Sequence, residues 1–118
     1  MTFFRPFAIL AVLFLLQGCH SAFIDATLIN RTPAAISLVQ VDYPSASFGT
    51  QTLGAGSSFA YRFKVLGNGV IHLTYTDATH AEQHFNGPAL QEGNEGSLIV
   101  VIASGSVDWQ AHLHNGLK

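Results

Sequence analysis

The strongest constraint on this fold is an alternation of apolar and polar side chains with period two, cut at short intervals by turn residues. It is cleanest at 58–64, where Phe59, Tyr61 and Phe63 fall on one side and Ser58, Ala60, Arg62 and Lys64 on the other. Successive side chains of an extended chain point to opposite faces, so this pattern makes a strand with one face buried. Apolar residues at helical spacing are hard to find after residue 19.

The alternation predicts strands at 23–30, 35–43, 48–53, 58–64, 70–76, 81–85, 97–103 and 107–111. Arg31-Thr32-Pro33 closes the first, because proline lacks an amide hydrogen and fixes its own φ. In the second, Val39, Val41 and Tyr43 share one face and Ile36 and Leu38 the other. Residues 44–47 read as a loop and 54–57 as a turn. Gly67-Asn68-Gly69 is a turn of residues that accept positive φ. Ile71, Leu73 and Tyr75 then face inward. Asn86-Gly87-Pro88 is predicted to end the sixth strand, and 90–96 to be a loop holding Glu92 and Glu95. The unbroken run from Leu98 to Ile102 suits a central strand covered on both faces. Residues 112–118 read as a short polar tail.

Seven to eight short strands in one unit predict an all-β fold, an antiparallel β-sandwich that is Ig-like or transthyretin-like in general shape. A small closed barrel is the alternative. One cysteine excludes the disulfide core of antibody domains. A length of 118 residues allows one domain. Charged residues are 10% of the chain and the net charge is −2, so no basic stripe exists for nucleic acid.

Ahead of the strands, Arg5 precedes an apolar run of ten residues, from Phe7 to Leu16. A membrane-spanning helix needs about 20. The run has the length and flanks of a secretory signal peptide over 1–18. It ends in Leu16-Gln17-Gly18-Cys19, which resembles the lipobox of bacterial lipoproteins. That resemblance implies a diacylglyceryl group on the Cys19 thiol and removal of residues 1–18. It also implies an acyl chain, such as palmitate, on the new amino terminus. Two or more chains anchor a protein stably, where one holds it marginally. It implies a bacterial envelope location, and the absence of aspartate after Cys19 points to the outer membrane, facing the periplasm. Removing 18 residues leaves 100, as a single domain over 19–118. This body bears four basic residues against seven acidic. It resembles the small β-sandwich lipoproteins of bacterial envelopes.

Chemistry-bearing patterns are sparse. There is no Gly-x-Ser-x-Gly elbow and no complete dinucleotide fingerprint, so the expectation is a non-catalytic protein without a cofactor other than its covalent lipid. Asn30-Arg31-Thr32 is a glycosylation triplet, without meaning in an ordinary bacterial setting. Six histidines are the compositional oddity, five of them after residue 70. His80 and His84 lie about 13 Å apart on a strand, at roughly 3.3 Å per residue, too far to share a metal. A hairpin placing Phe85 opposite Ile71 and Ala81 opposite Tyr75 would put His84 opposite His72 and Glu82 opposite Thr74, on the outer face. Opposed Cβ atoms are about 5 Å apart, so His72, His84 and Glu82 make a candidate zinc or copper site. The ordinary reading is polar residues on a solvated face. His112-x-His114 is a weaker pattern of the same kind. Tyr43, Pro44, Phe48 and Trp109 are either a binding patch or packing at an open end of the sandwich.

The favoured function is tethered recognition: lipid sets the location, and the sandwich offers a surface to another envelope protein or a ligand. Metal capture in the periplasm is the alternative.

Overall fold

A computed structural model describes residues 21–116. Cys19, His20, the signal segment and the last two residues lie outside the described residues. Eight strands follow in order: β1 (Ile24–Asn30), β2 (Ile36–Tyr43), β3 (Ala46–Leu53), β4 (Ser58–Phe63), β5 (Gly69–Thr76), β6 (Glu82–Leu90), β7 (Asn94–Ala103) and β8 (Ser106–Asn115). They form two four-stranded sheets, β4-β1-β7-β8 and β3-β2-β5-β6. The fold is an all-β sandwich, and no helix occurs among the described residues. It departs from a purely antiparallel arrangement at one place: β1 and β7 run parallel, from Ile24 opposite Gly96 to Asn30 opposite Ile102. The chain between them visits the other sheet twice, which supplies the long crossover that a parallel pair requires.

Alternation does the work of the core. Ile24, Leu28, Leu98, Val100 and Ile102 of the first sheet are fully buried, as are Val41, Ile71 and Leu73 of the second. Each such side chain contributes about 1.5–3 kcal/mol on burial. β3 meets β4 on one flank and β6 meets β8 on the other, closing the sides.

Six expectations need correcting. In β2, Ser37 pairs with Thr76 but Gln40 pairs with Thr74, so one residue is extra. This bulge lies at Leu38, whose φ is +49° and which is 61% exposed. It brings Ile36 to the same inner face as Val39 and Val41, where strict alternation had set them apart. Pro44 and Ser45 alone make the turn from β2, and β3 starts at Ala46. β6 runs on through Asn86-Gly87-Pro88 to Leu90, because it is an edge strand and a second bulge falls there: Val70 pairs with Ala89, His72 with Asn86. β7 starts at Asn94 and is half open on its outer side, where Ile99 and Val101 stay partly exposed. β8 extends through residues 112–115, expected as tail; Leu113 packs on the core and pairs with Gly96.

The connections sort to two ends. Residues 44–45, 64–68 and 91–93 lie at the end where the described chain begins. Residues 31–35, 54–57, 77–81 and 104–105 lie at the opposite end.

Candidate functional site

The far end carries the candidate site. It starts from Asn30, fully buried at the close of β1. Its amide nitrogen donates to the carbonyls of Ala34 and Leu53, both at 2.9 Å. Its Oδ1 accepts from the Thr32 amide at 2.9 Å, with the Thr32 hydroxyl at 2.7 Å. The turn 31–35 is thereby folded over one amide group, and the glycosylation triplet is spent on structure. The β5–β6 turn has the same design with a charge at its centre. Asp77 Oδ1 accepts from the Thr79 hydroxyl at 2.6 Å, the Thr79 amide at 2.9 Å and the Ala81 amide at 3.0 Å. Its Oδ2 accepts from Gln83 at 3.0 Å. These bonds, the Thr79 hydroxyl first, lower the Asp77 carboxyl to about 2.

Between the two turns and the 104–105 hairpin lies a cleft of about 210 Å³. Ile36 and Tyr75, both 2% exposed, line it with Pro33, Ala34, Ala78 and Gly105. Thr32, Thr79, Ser104, Gln83 and Asp77 add polar groups. Burial, then the Asp77 charge, raises the Tyr75 phenol above its usual range, so it stays protonated at neutral pH. The cleft thus pairs an apolar lining with one fixed carboxylate. Its lining holds hydroxyls and one carboxylate, and among its residues there is no imidazole, thiol or amine. Drug-sized ligands occupy roughly 300–1,000 Å³, so this volume suits one side chain or a small ring.

The candidate residues read from sequence are placed elsewhere. His72, Glu82 and His84 do share the outer face of β5–β6, but two residues out of the expected register. His72 stands opposite Asn86, with Nδ1 and Oδ1 2.6 Å apart, and His84 opposite Thr74. The two imidazoles become diagonal neighbours, for which about 7–8 Å is usual, instead of a directly opposed pair. His84 and Glu82 do meet, at 3.3 Å and in the open. No group of three metal-ligating side chains occurs among the described residues. His112 and His114 lie on the outer face of β8, opposite Ser97 and Glu95, with His114 3.2 Å from the Glu95 carboxylate.

The aromatic group divides. Tyr43 and Phe48 join Tyr61 and Phe63 on the β3–β4 flank, where Tyr43 lies 4.3 Å from Phe63 and Phe48 stacks on Tyr61 at 4.5 Å. Trp109 is on the other flank, against Gly87. Packing occupies all three, and Pro44 sits over Gly69. Asn30, Tyr75 and Asp77 were missed as site residues. The signal available for the first was a buried-strand position given to asparagine, and for the third the Asp-x-Thr spacing of a side-chain-capped turn.

No family model matches the chain, and no curated protein matches it. Among solved structures, it is similar to a protein from Eubacterium rectale determined by NMR. The TM-score is 0.53 over 79% of this chain and 89% of that one, at 19% identity. At that identity the likeness shows the fold alone.

Proposed function

We propose that this protein is a bacterial envelope lipoprotein, anchored through acyl chains on Cys19, whose sandwich is a non-catalytic recognition module. The cleft at the end remote from the anchor takes a small group of a ligand or an envelope partner. One observation carries this reading: the chain enters β1 at Ile24, five residues after Cys19, and the cleft opens at the opposite end of the sandwich. Strands of six to ten residues separate those ends by about 20–33 Å. A tether at one end and a cleft at the other give a partner unobstructed access. The Asp77 carboxylate, ionised at every physiological pH, favours a cationic or hydrogen-bond-donating group.

The test has two parts on the full-length protein made in a bacterial envelope. Intact mass reads the anchor: acylation and loss of residues 1–18 are expected, and an unmodified full-length chain in the aqueous fraction overturns it. Photo-crosslinkers placed at Ala78, beside the cleft, and at Ala60, on the outer face of β4, read the recognition end. A specific adduct from position 78 only is expected. Equal labelling from both, or from neither, removes the cleft from this proposal.

A further inference from the structure

Four large apolar side chains are well exposed among the described residues: Leu38, Tyr61, Leu66 and Val70. Leu38 belongs to the β2 bulge, and Tyr61 stacks on Phe48. Leu66, 55% exposed, and Val70, 42% exposed, are different, because both lie toward the end where the described chain begins. Ile24 of β1 pairs with Phe63 of β4, and the chain continues through Lys64 and Val65 to Leu66.

The exposure of Leu66 is not looseness. Val65, beside it, is fully buried and plugs the end of the core. The Leu66 amide donates to Ser45 Oγ at 3.2 Å. The Gly67 amide donates to Glu92 Oε1 at 2.8 Å, and the Glu92 amide returns a bond to Asn68 Oδ1 at 2.9 Å. The Gly93 amide reaches the Val65 carbonyl at 3.4 Å. Three connections are thus cross-braced so that valine turns in and leucine stays out. Exposed lysine flanks the leucine at position 64, and no carboxylate of the described residues bridges to it. A lone exposed leucine needs no explanation. A braced leucine at the same end of the sandwich as exposed Val70 and Lys64, the end from which the proposed anchor would leave, does call for a partner of matching layered chemistry. A phospholipid surface has that layering: acyl chains below, phosphates above.

We infer that Leu66 and Val70 rest in the lipid surface that holds the acyl chains of Cys19, with Lys64 at the phosphate level, so that the sandwich stands on this end with its cleft outward. The inference rests on the lipid-anchor reading and adds an orientation to it. Two points of attachment, the acylated terminus and this footing, set the direction of the body where a single flexible tether leaves it free.

The experiment uses the full-length acylated protein in phosphatidylethanolamine–phosphatidylglycerol vesicles. Cysteine is introduced singly as Leu66→Cys, Val70→Cys or, at the far end, Ala55→Cys, and labelled with an environment-sensitive fluorophore. Acylation consumes the Cys19 thiol, the chain's own single thiol, so an anchored protein takes one label. Expected is one label per chain, blue-shifted emission at positions 66 and 70 quenched by lipids spin-labelled near the headgroup, and an unshifted, unquenched probe at 55. One label with aqueous emission at 66 and 70 overturns the footing and leaves the anchor standing. Two labels per chain and no vesicle association overturn both.

Discussion

The Asn30 side-chain amide donates to the Leu53 carbonyl 2.9 Å away, and these two residues close strands of opposite sheets. The same nitrogen holds the Ala34 carbonyl. One buried polar group therefore joins the two layers at the cleft end and shapes the turn that forms a cleft wall. Leaving a buried acceptor unsatisfied costs about 1–3 kcal/mol. Asn30→Ala strands the Leu53 carbonyl and removes the acceptor of the Thr32 amide, while Ala34 keeps a bond from the Thr32 hydroxyl at 2.8 Å, so a loss of about 1–3 kcal/mol is expected in urea unfolding. Asn30→Asp keeps the acceptor for Thr32 but loses the donor, and falls in the same range. A loss under about 0.5 kcal/mol, the level of an ordinary surface substitution, would show that the amide is not the clamp.

Gly87 is glycine because the chain's single tryptophan needs the space. A Cβ there would lie 2.8 Å from two ring carbons of Trp109 and 2.6 Å from Ile71 Cγ2. Atoms do not approach so closely, so Gly87→Ala lifts the indole off β6. Expected are red-shifted tryptophan emission, from the one emitter in the chain, and a destabilisation of about 1–3 kcal/mol. Unchanged emission would refute the flank packing described for β6 and β8.

What sequence revealed and what it hid follow from one property of strands. A one-residue slip turns every side chain to the wrong face, whereas a two-residue slip preserves the faces. Hydrophobic alternation therefore reported that Ile71, Leu73 and Tyr75 point inward and that His72 and His84 point outward. It could not separate His84 opposite His72 from His84 opposite Thr74, and the observed register is the second. Bulges defeat alternation outright: the extra residue at Leu38 reverses the parity that had set Ile36 on the face opposite to Val39 and Val41. The cleft was invisible for another reason. Its lining comes from 32–36, 75–83 and 104–105, stretches that only the order of the sheets brings together.

Leu38 adopts a left-handed backbone, with φ of +49°, at 61% exposure. Leucine pays for this geometry with a clash between Cβ and the following carbonyl, of roughly 1–2 kcal/mol. Glycine escapes it but loses about 0.5–1 kcal/mol of chain entropy. Leu38→Gly is expected to leave thermal stability unchanged or to raise it slightly. Leu38→Val, branched at Cβ, is expected to lower it by about 1 kcal/mol. Should valine prove as stable as glycine, residue 38 does not hold the left-handed position of the bulge.

Asp77 gives the cleft end its pH dependence. The carboxyl is lowered from 3.8 to about 2 by the bonds from Thr79, Ala81 and Gln83. A depressed folded-state pKa means that the charged form is held by the fold. Its contribution is complete above the unfolded value, near 3.8, and drains away as pH falls toward about 2. The β5–β6 turn should therefore hold at pH 5 and loosen on acidification through that window, with the amides of Thr79 and Ala81 exchanging faster first. Asp77→Asn removes the titration while keeping one acceptor oxygen. Its unfolding midpoint is expected below the parent's at pH 6, and the gap is expected to narrow as pH approaches 2. A gap that stays constant from pH 6 to 2, or a carboxyl that titrates by NMR near 3.8, would place the stability of this turn in something other than the charge.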